Sequence, residues 1–261
     1  MRDRPVRNPI TMLDRLIHRT ALRHWRSVLA QAPSAPAPLL RARRNRARAL
    51  RAELDRLIHA ADAQLTLPAI GATAFPRPHG TDWAWRPALW RGPLPVRGLA
   101  SPADNTPLGD EIALFHDCRR REIALRQDRN QRPADLAPFG LCVEVFGSEA
   151  SFLSLAVDLP HAAVQGLAPT HILRVDATLD AEAPQQVFLR LNIRQGPNTE
   201  QVVRALPLAD GTGHVEFDMA YCGLDKNRVQ ALWLDVIFER PAMNRLTLRD
   251  LTFARFPRAH L

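Results

Sequence analysis

VFLRLNIR at residues 187–194 and ALWLDVIFE at residues 231–239 decide the fold, because each carries an apolar residue at every second position. Successive side chains of an extended strand point to opposite faces, so Val187, Leu189, Leu191 and Ile193 share one side, as do Leu232, Leu234, Val236 and Phe238. The same alternation runs through Leu141, Val143 and Val145, through Leu153, Leu155 and Val157, and through Val215, Phe217 and Met219. Turn formers separate these runs: Gly147-Ser148, Gly196-Pro197-Asn198 and Asp210-Gly211. With IALF at 112–115, REIAL at 121–125 and a closing strand, eight to ten strands are available from about residue 111. One greasy face per strand, repeated this often, predicts two antiparallel sheets packed on each other.

The closing strand, RLTLRDLTFAR at 245–255, breaks phase. Leu246 and Leu248 share a side, and Leu251 and Phe253 resume it one residue late, which predicts a bulge at Arg249 and Asp250.

Upstream of this half the period changes. Met12, Leu13, Leu16, Ile17, Ala21, Trp25, Val28 and Leu29 recur at three- and four-residue spacing behind a Thr11–Asp14 pair that resembles a capping box. PSAPAP at 33–38 ends that helix, since proline withholds the backbone donor that a continuing helix needs. A second helix is expected from near Pro38, with Ala47, Leu50, Leu54, Leu57, Ile58, Ala61 and Leu65 on one stripe. The short link favours an antiparallel hairpin. Residues 67–107 hold eight of the 22 prolines together with Trp83, Trp85 and Trp90, and read as an extended strap that lays its tryptophans on a neighbouring domain. The predicted class is α+β, with a basic helical hairpin at 1–66, the strap at 67–107, a jelly-roll-like β-sandwich at 108–256 and a tail at 257–261.

Composition bounds the function classes. Hydrophobic residues at 46% and charged residues at 24% are those of a globular chain, and no run approaches the ~18 consecutive apolar residues that a membrane span needs. The opening MRDRPVRNPITMLDRL has positive charge without a following apolar core, so a cytoplasmic location is expected, peripheral to a membrane if the helices engage one. Cys118, Cys142 and Cys222 are odd in number, far apart and free of C-x-x-C spacing, which argues against a disulfide framework or a thiolate metal cluster. The nine histidines show no zinc-binding spacing, and neither a metal nor a cofactor is expected.

The charge of +8 is unevenly placed. Residues 1–60 hold 14 arginines against four acids, whereas the remainder is slightly acidic. Arg41, Arg43, Arg44, Arg46, Arg48 and Arg51 cluster on the second helix. Three uses are open to them: arginines left in water above a docked apolar stripe, contact with an anionic membrane surface, or contact with nucleic-acid phosphates that specifies no sequence. Trp25 is the sole stacking aromatic there, which argues against single-strand recognition.

The stretch from about 151 to 255 resembles the jelly-roll carbohydrate-binding modules appended to bacterial polysaccharide-degrading enzymes. The likeness is carried by THILRVDATL, QVFLRLNIRQGPN, GHVEFDMAY, ALWLDVIFERP and LTLRDLTF, and the whole chain is similar to an uncharacterised bacterial family with no assigned activity. The module resemblance implies a non-enzymatic binding or adaptor protein with a glycan or polysaccharide partner. Such modules stack sugar rings on exposed aromatics, for which this stretch offers Tyr221 and Trp233.

Candidate binding residues alternate with the core positions: Arg190, Asn192, Arg194, Glu216, Asp218, Trp233, Asp235 and Glu239. A polar groove with one aromatic wall is one reading. Cross-strand ion pairing on a solvated face, at about 0.2–1 kcal/mol per pair, is the simpler one. Glu216 and Asp218, about 6–7 Å apart on one strand face, also meet the spacing of a glycosidase pair. FHDC at 115–118 sets an imidazole, a carboxylate and a thiol in sequence. Strand geometry puts Asp117 on the face opposite His116 and Cys118, so a histidine with a structural hydrogen bond is expected there.

Overall fold

The computed structural model describes residues 12–70, 74–147, 151–225 and 228–258. Thr11 of the expected cap, Ser148 of one expected turn and the last three residues of the tail lie outside them, as do the side chains of Met12, Leu13 and Leu65. Contacts divide the chain into two units, residues 1–57 and 58–261.

In the first unit, helix α1 (Met12–Gln31) gives way to a 3-10 turn at Ala32–Ser34. Ala35 is extended, with φ −80° and ψ 141°, and helix α2 (Ala37–Ile70) then begins and continues past the unit boundary. The prolines stop the first helix where the sequence placed the stop. Arg43 donates to Gln31 Oε1 at 3.0 Å across the link. Among the described side chains, the leucines and isoleucines of both apolar stripes are exposed, Leu16, Leu29 and Leu57 each by more than three fifths, while Trp25, Val28 and Ala47 are half-buried.

The second unit is a sandwich of two antiparallel sheets, as the class α+β requires. Its strands are β1 (Trp83–Trp85), β2 (Gly98–Ala100), β3 (Thr106–Pro107), β4 (Ile112–His116), β5 (Ile123–Arg129), β6 (Phe139–Val145), β7 (Phe152–Asp158), β8 (His171–Ala181), β9 (Val187–Gln195), β10 (Asn198–Ala205), β11 (Thr212–Asp218), β12 (Val229–Glu239) and β13 (Asn244–Pro257). One sheet runs β11-β8-β13-β6-β5-β2, with β1 also on β13; the other runs β10-β9-β12-β7-β4-β3. Every alternating apolar residue named from the sequence is buried in one continuous core between the sheets. Asp250, not Arg249, follows Leu248 in register against β8, which is the bulge that the phase slip predicted. Up to the bulge β13 pairs with β6; beyond it, Phe253–Arg255 pair with β1.

The strap is more regular than its prolines suggested. It supplies β1, β2, β3 and a one-turn helix, α3 (Ala88–Arg91), all set on the sandwich. Short edge strands tolerate proline because their outer donors face no partner. Trp90 is fully buried and donates Nε1–H to the Leu248 carbonyl at 3.0 Å, just before the bulge. Trp83 and Trp85 stack at 6.4 Å between centroids, and Trp85 lies 5.4 Å from Phe253. The buried Gln127 amide on β5 ties the strap down, donating to Leu89 and Gly92 carbonyls and accepting from Leu94 N–H. Arg86, sealed from solvent, forks onto Asp250 at 2.8 and 2.7 Å. Such a bidentate pair offsets the desolvation that burying a guanidinium costs.

Candidate functional site

The outer face of the six-stranded sheet holds a cleft of about 750 Å³. Register explains how it forms. Across neighbouring strands, one row reads Asp158 on β7, Trp233 on β12, Asn192 on β9 and Gln201 on β10. The next row reads Ala113, Ala156, Asp235 and Arg190, and the one after it Phe115, Ser154 and Ile237. Ala113, Ala156 and Ser154 are small, so the middle of the face stays low while Phe115, Phe152, Trp233 and Arg190 stand beside it.

Asp235 anchors the polar part. Its Oδ2 accepts from Arg190 Nε at 2.8 Å and from Asn192 Nδ2 at 2.8 Å, and the residue is only 5% exposed. Asn192, 1% exposed, also directs its amide at the Arg190 and Trp233 carbonyls, at 3.2 and 3.4 Å. Two buried oxygens on this face have no hydrogen-bond partner: Asn192 Oδ1 and Ser154 Oγ. An unmet buried acceptor costs about 1–3 kcal/mol, so both are spare capacity at the floor of the cleft. Asp158 is exposed at the side of the same face. Partial desolvation, and then the nearby Asp235 carboxylate, raise its pKa above the ordinary aspartate value.

Of the eight candidates named from the sequence, Arg190, Asn192, Trp233 and Asp235 line the cleft together. Trp233 is half-buried in this open cleft. Arg194 stands one row further along β9, exposed, and Glu239 stands at the far end of β12 opposite Phe152. Glu216 and Asp218 belong elsewhere: β11 is the edge strand of the other sheet. There Glu216 pairs with Arg174 at 3.6 Å, and Asp218 caps a 3-10 turn through Ala220 N–H and meets Arg258 at 3.1 Å. Alternation told which residues face outward but not on which sheet, and that is why these two were grouped with β9 and β12. Tyr221, 79% exposed on that 3-10 turn, is likewise not part of the cleft.

Ser154, Asp158, Phe115 and Gln201 also line the cleft and are not among the eight candidate binding residues. Ser154, Ala156 and Asp158 alternate with Leu153, Leu155 and Val157, so the outward face of β7 was readable. That β7 lies between β4 and β12 was not.

A second cleft, about 580 Å³, lies on the outer face of the seven-stranded sheet. Its charges are already matched: Arg174 with Asp176 at 2.8 Å and with Glu216, and Asp250 with Arg86. His116 serves structure, as its strand geometry implied. It is buried, accepts Cys118 N–H at Nδ1 and lies 3.3 Å from the Pro102 carbonyl through Nε2. Asp117 turns the other way to Ser151 and Phe152. Burial pushes its pKa up, but the hydrogen bonds from Ser151 and Phe152 outweigh that and hold it below the ordinary value. The three cysteines are free and buried. No helix among the described residues is long and apolar enough to cross a membrane, and no group of three or more His, Cys, Asp or Glu there is placed to hold a metal.

Residues 6–261 match a family of unknown function, DUF6478, and the chain belongs to that family. No curated protein matches the sequence. Among solved structures, a family 11 carbohydrate-binding module from Clostridium thermocellum, in complex with a β-1,3-1,4-mixed-linked tetrasaccharide, is similar over 63% of this chain and 97% of that one, at 8% identity and a TM-score of 0.38. The module TmCBM61, in complex with β-1,4-galactotriose, is similar over 59% and 90%, at 15% identity and 0.33. The enzymatically active domain of tailspike protein 4 of Bacteriophage CBA120 is similar over 55% of this chain but 19% of its own length, at 4% identity and 0.38. At these identities the likeness is one of β-sandwich architecture alone.

Proposed function

We propose that this member of the family is a binding protein that takes a saccharide or similar polyol in the cleft of its six-stranded sheet, without chemistry. The observation that carries the reading is the pair of unspent buried oxygens, Asn192 Oδ1 and Ser154 Oγ, under an open cleft bordered by Trp233. A polyol supplies hydroxyl donors for such acceptors and C–H faces for an indole. The cleft's volume is within the range of small-molecule sites, about 300–1,000 Å³. Asp235 supports binding over hydrolysis. It is sealed and held by two donors, whereas a catalytic carboxylate must reach a water or an anomeric carbon.

Calorimetric titration of the full chain with a panel of neutral oligosaccharides tests this. Expected is binding that Trp233→Ala weakens at least about tenfold, an effect on the scale of one lost stacking contact. A folded protein that binds nothing on the panel refutes it.

The exposed leucines of α1 and α2, set among arginines, favour a second, separate role in peripheral association with an anionic membrane surface. The chain of residues 1–261 should sediment with vesicles containing an anionic lipid and stay in solution with neutral ones. Replacing Arg41, Arg43, Arg44, Arg46, Arg48 and Arg51 by Gln should release it. Binding to nucleic acid but not to vesicles, falling steeply with salt, would put phosphates in place of lipid.

A further inference from the structure

The cleft has a charge that the fold does not neutralise. Three ionisable side chains line it: Asp158, Arg190 and Asp235. Arg190 and Asp235 satisfy each other at 2.8 Å. Asp158 is left over; among the described residues its carboxylate has neither a hydrogen-bond nor an ion-pair partner, although its strand neighbours supply several charged groups. Arg190 is spent on Asp235. Glu111, whose carbonyl takes the Asp158 N–H, turns its own carboxylate to Arg91 and to Ala88 N–H. Arg194 is two strands away and one row beyond. The charge that acts on Asp158 is the carboxylate of Asp235, which repels it.

Asp158 also sits directly across from Trp233 in the β7–β12 register. Side chains so paired have Cβ atoms about 4.5–5.5 Å apart, so a carboxylate and an indole flank one point of the cleft. An uncompensated anion beside an aromatic face is the pairing that attracts an organic ammonium, through Coulomb attraction on one side and the ring quadrupole on the other. A neutral sugar can offer the carboxylate a hydroxyl donor, an ammonium adds a full opposite charge to that hydrogen bond, and uronates or sulfated sugars are repelled.

We infer that the cleft selects a saccharide bearing a free amine, its ammonium held between Asp158 and Trp233 while its hydroxyls use Ser154 and Asn192. The inference rests on the binding reading above and names the ligand class within it. The raised pKa of Asp158 agrees with it, since a bound cation relieves the strain of ionising a carboxylate beside Asp235. Asp158 is expendable to the fold, having no partner to lose.

The test titrates the full chain with three trimers of matched length: a glucosamine trimer, its N-acetylated counterpart and a uronate trimer. The pH is chosen so that the amine is protonated and the uronate ionised. Expected is about a tenfold or greater preference for the free amine over the acetylated sugar, the scale of one charge-assisted hydrogen bond, shrinking as salt is added. Asp158→Asn should abolish the preference, cutting the amine trimer's affinity far more than the acetylated trimer's, whereas Trp233→Ala should weaken both to a similar degree. Equal affinity for the amine and acetylated trimers, or tightest binding of the uronate, overturns the inference and leaves the cleft as a saccharide site. If no trimer and no neutral sugar binds, the binding reading falls and takes this one with it.

Discussion

Leu191 in β9 and Leu29 in α1 are the same side chain on the same kind of one-sided apolar pattern, yet Leu191 is 0% exposed and Leu29 74%. In the sandwich, each sheet's greasy face meets the other's within the same unit, and the two seal one core. The helices lay out stripes that remain in contact with solvent. An amphipathic pattern says that an element has a face to bury; it does not supply the surface that buries it. One region is stabilised by its pattern, and the other leaves its pattern exposed.

The sharpest way to break that contrast is to cut the same side chain in both places. Leu191→Ala should cost about 2–5 kcal/mol in chemical denaturation, and Leu29→Ala no more than about 0.5 kcal/mol. If the two variants cost the same, α1 is packed against something in solution and the contrast collapses. Of the same size is the effect expected at the strap. Arg86→Ala strands the Asp250 carboxylate beside the bulge and should lose about 3–5 kcal/mol. No single arginine of the helices should cost more than about 1 kcal/mol, since pairs such as Arg51–Asp55 are open to water.

A smaller effect is expected with pH. Burial pushes the Asp180 carboxyl up, but hydrogen bonds and charge from Arg249 and Arg132 outweigh it and hold its pKa below the ordinary aspartate value. The unfolded chain therefore takes up the proton first as pH falls. The stability that Asp180 contributes is complete above the ordinary aspartate pKa and is lost as pH drops toward the depressed one. Asp180→Asn should flatten the acid side of the pH–stability curve. The smallest effect has the opposite sign. Asp158 has a raised pKa, so its ionisation costs stability as pH rises through the aspartate range. Asp158→Asn should leave the melting temperature at neutral pH unchanged or slightly higher, and the difference should vanish in acid. A clear loss of stability would mean that Asp158 supports the fold instead of the cleft.

Much of this was legible in the residues. The helix stop at the prolines, the alternating core and the bulge beside Asp250 each follow from a few neighbouring positions. The strap was half legible: its tryptophans do pack on the sandwich, but its short strands needed the edges of β13, β5 and β4, which lie elsewhere in the sequence. Of the eight candidate binding residues, four line the cleft. Arg190, Asn192, Trp233 and Asp235 come from β9 and β12, which pair with each other, whereas Glu216 and Asp218 come from a strand of the opposite sheet. Asp158 and Ser154 went unnamed because β7 joins β12 only after about 75 residues of intervening chain.

The sequence by itself determined which side chains face in and which face out, because that choice is made by the two-residue repeat of a strand and the 3.6-residue repeat of a helix. Only the tertiary structure decided which outward faces stand side by side, because strand pairing joins segments far apart along the chain through backbone groups that every residue shares. Facing is a local geometric property; adjacency is settled by how the whole core closes, and the cleft is a product of adjacency.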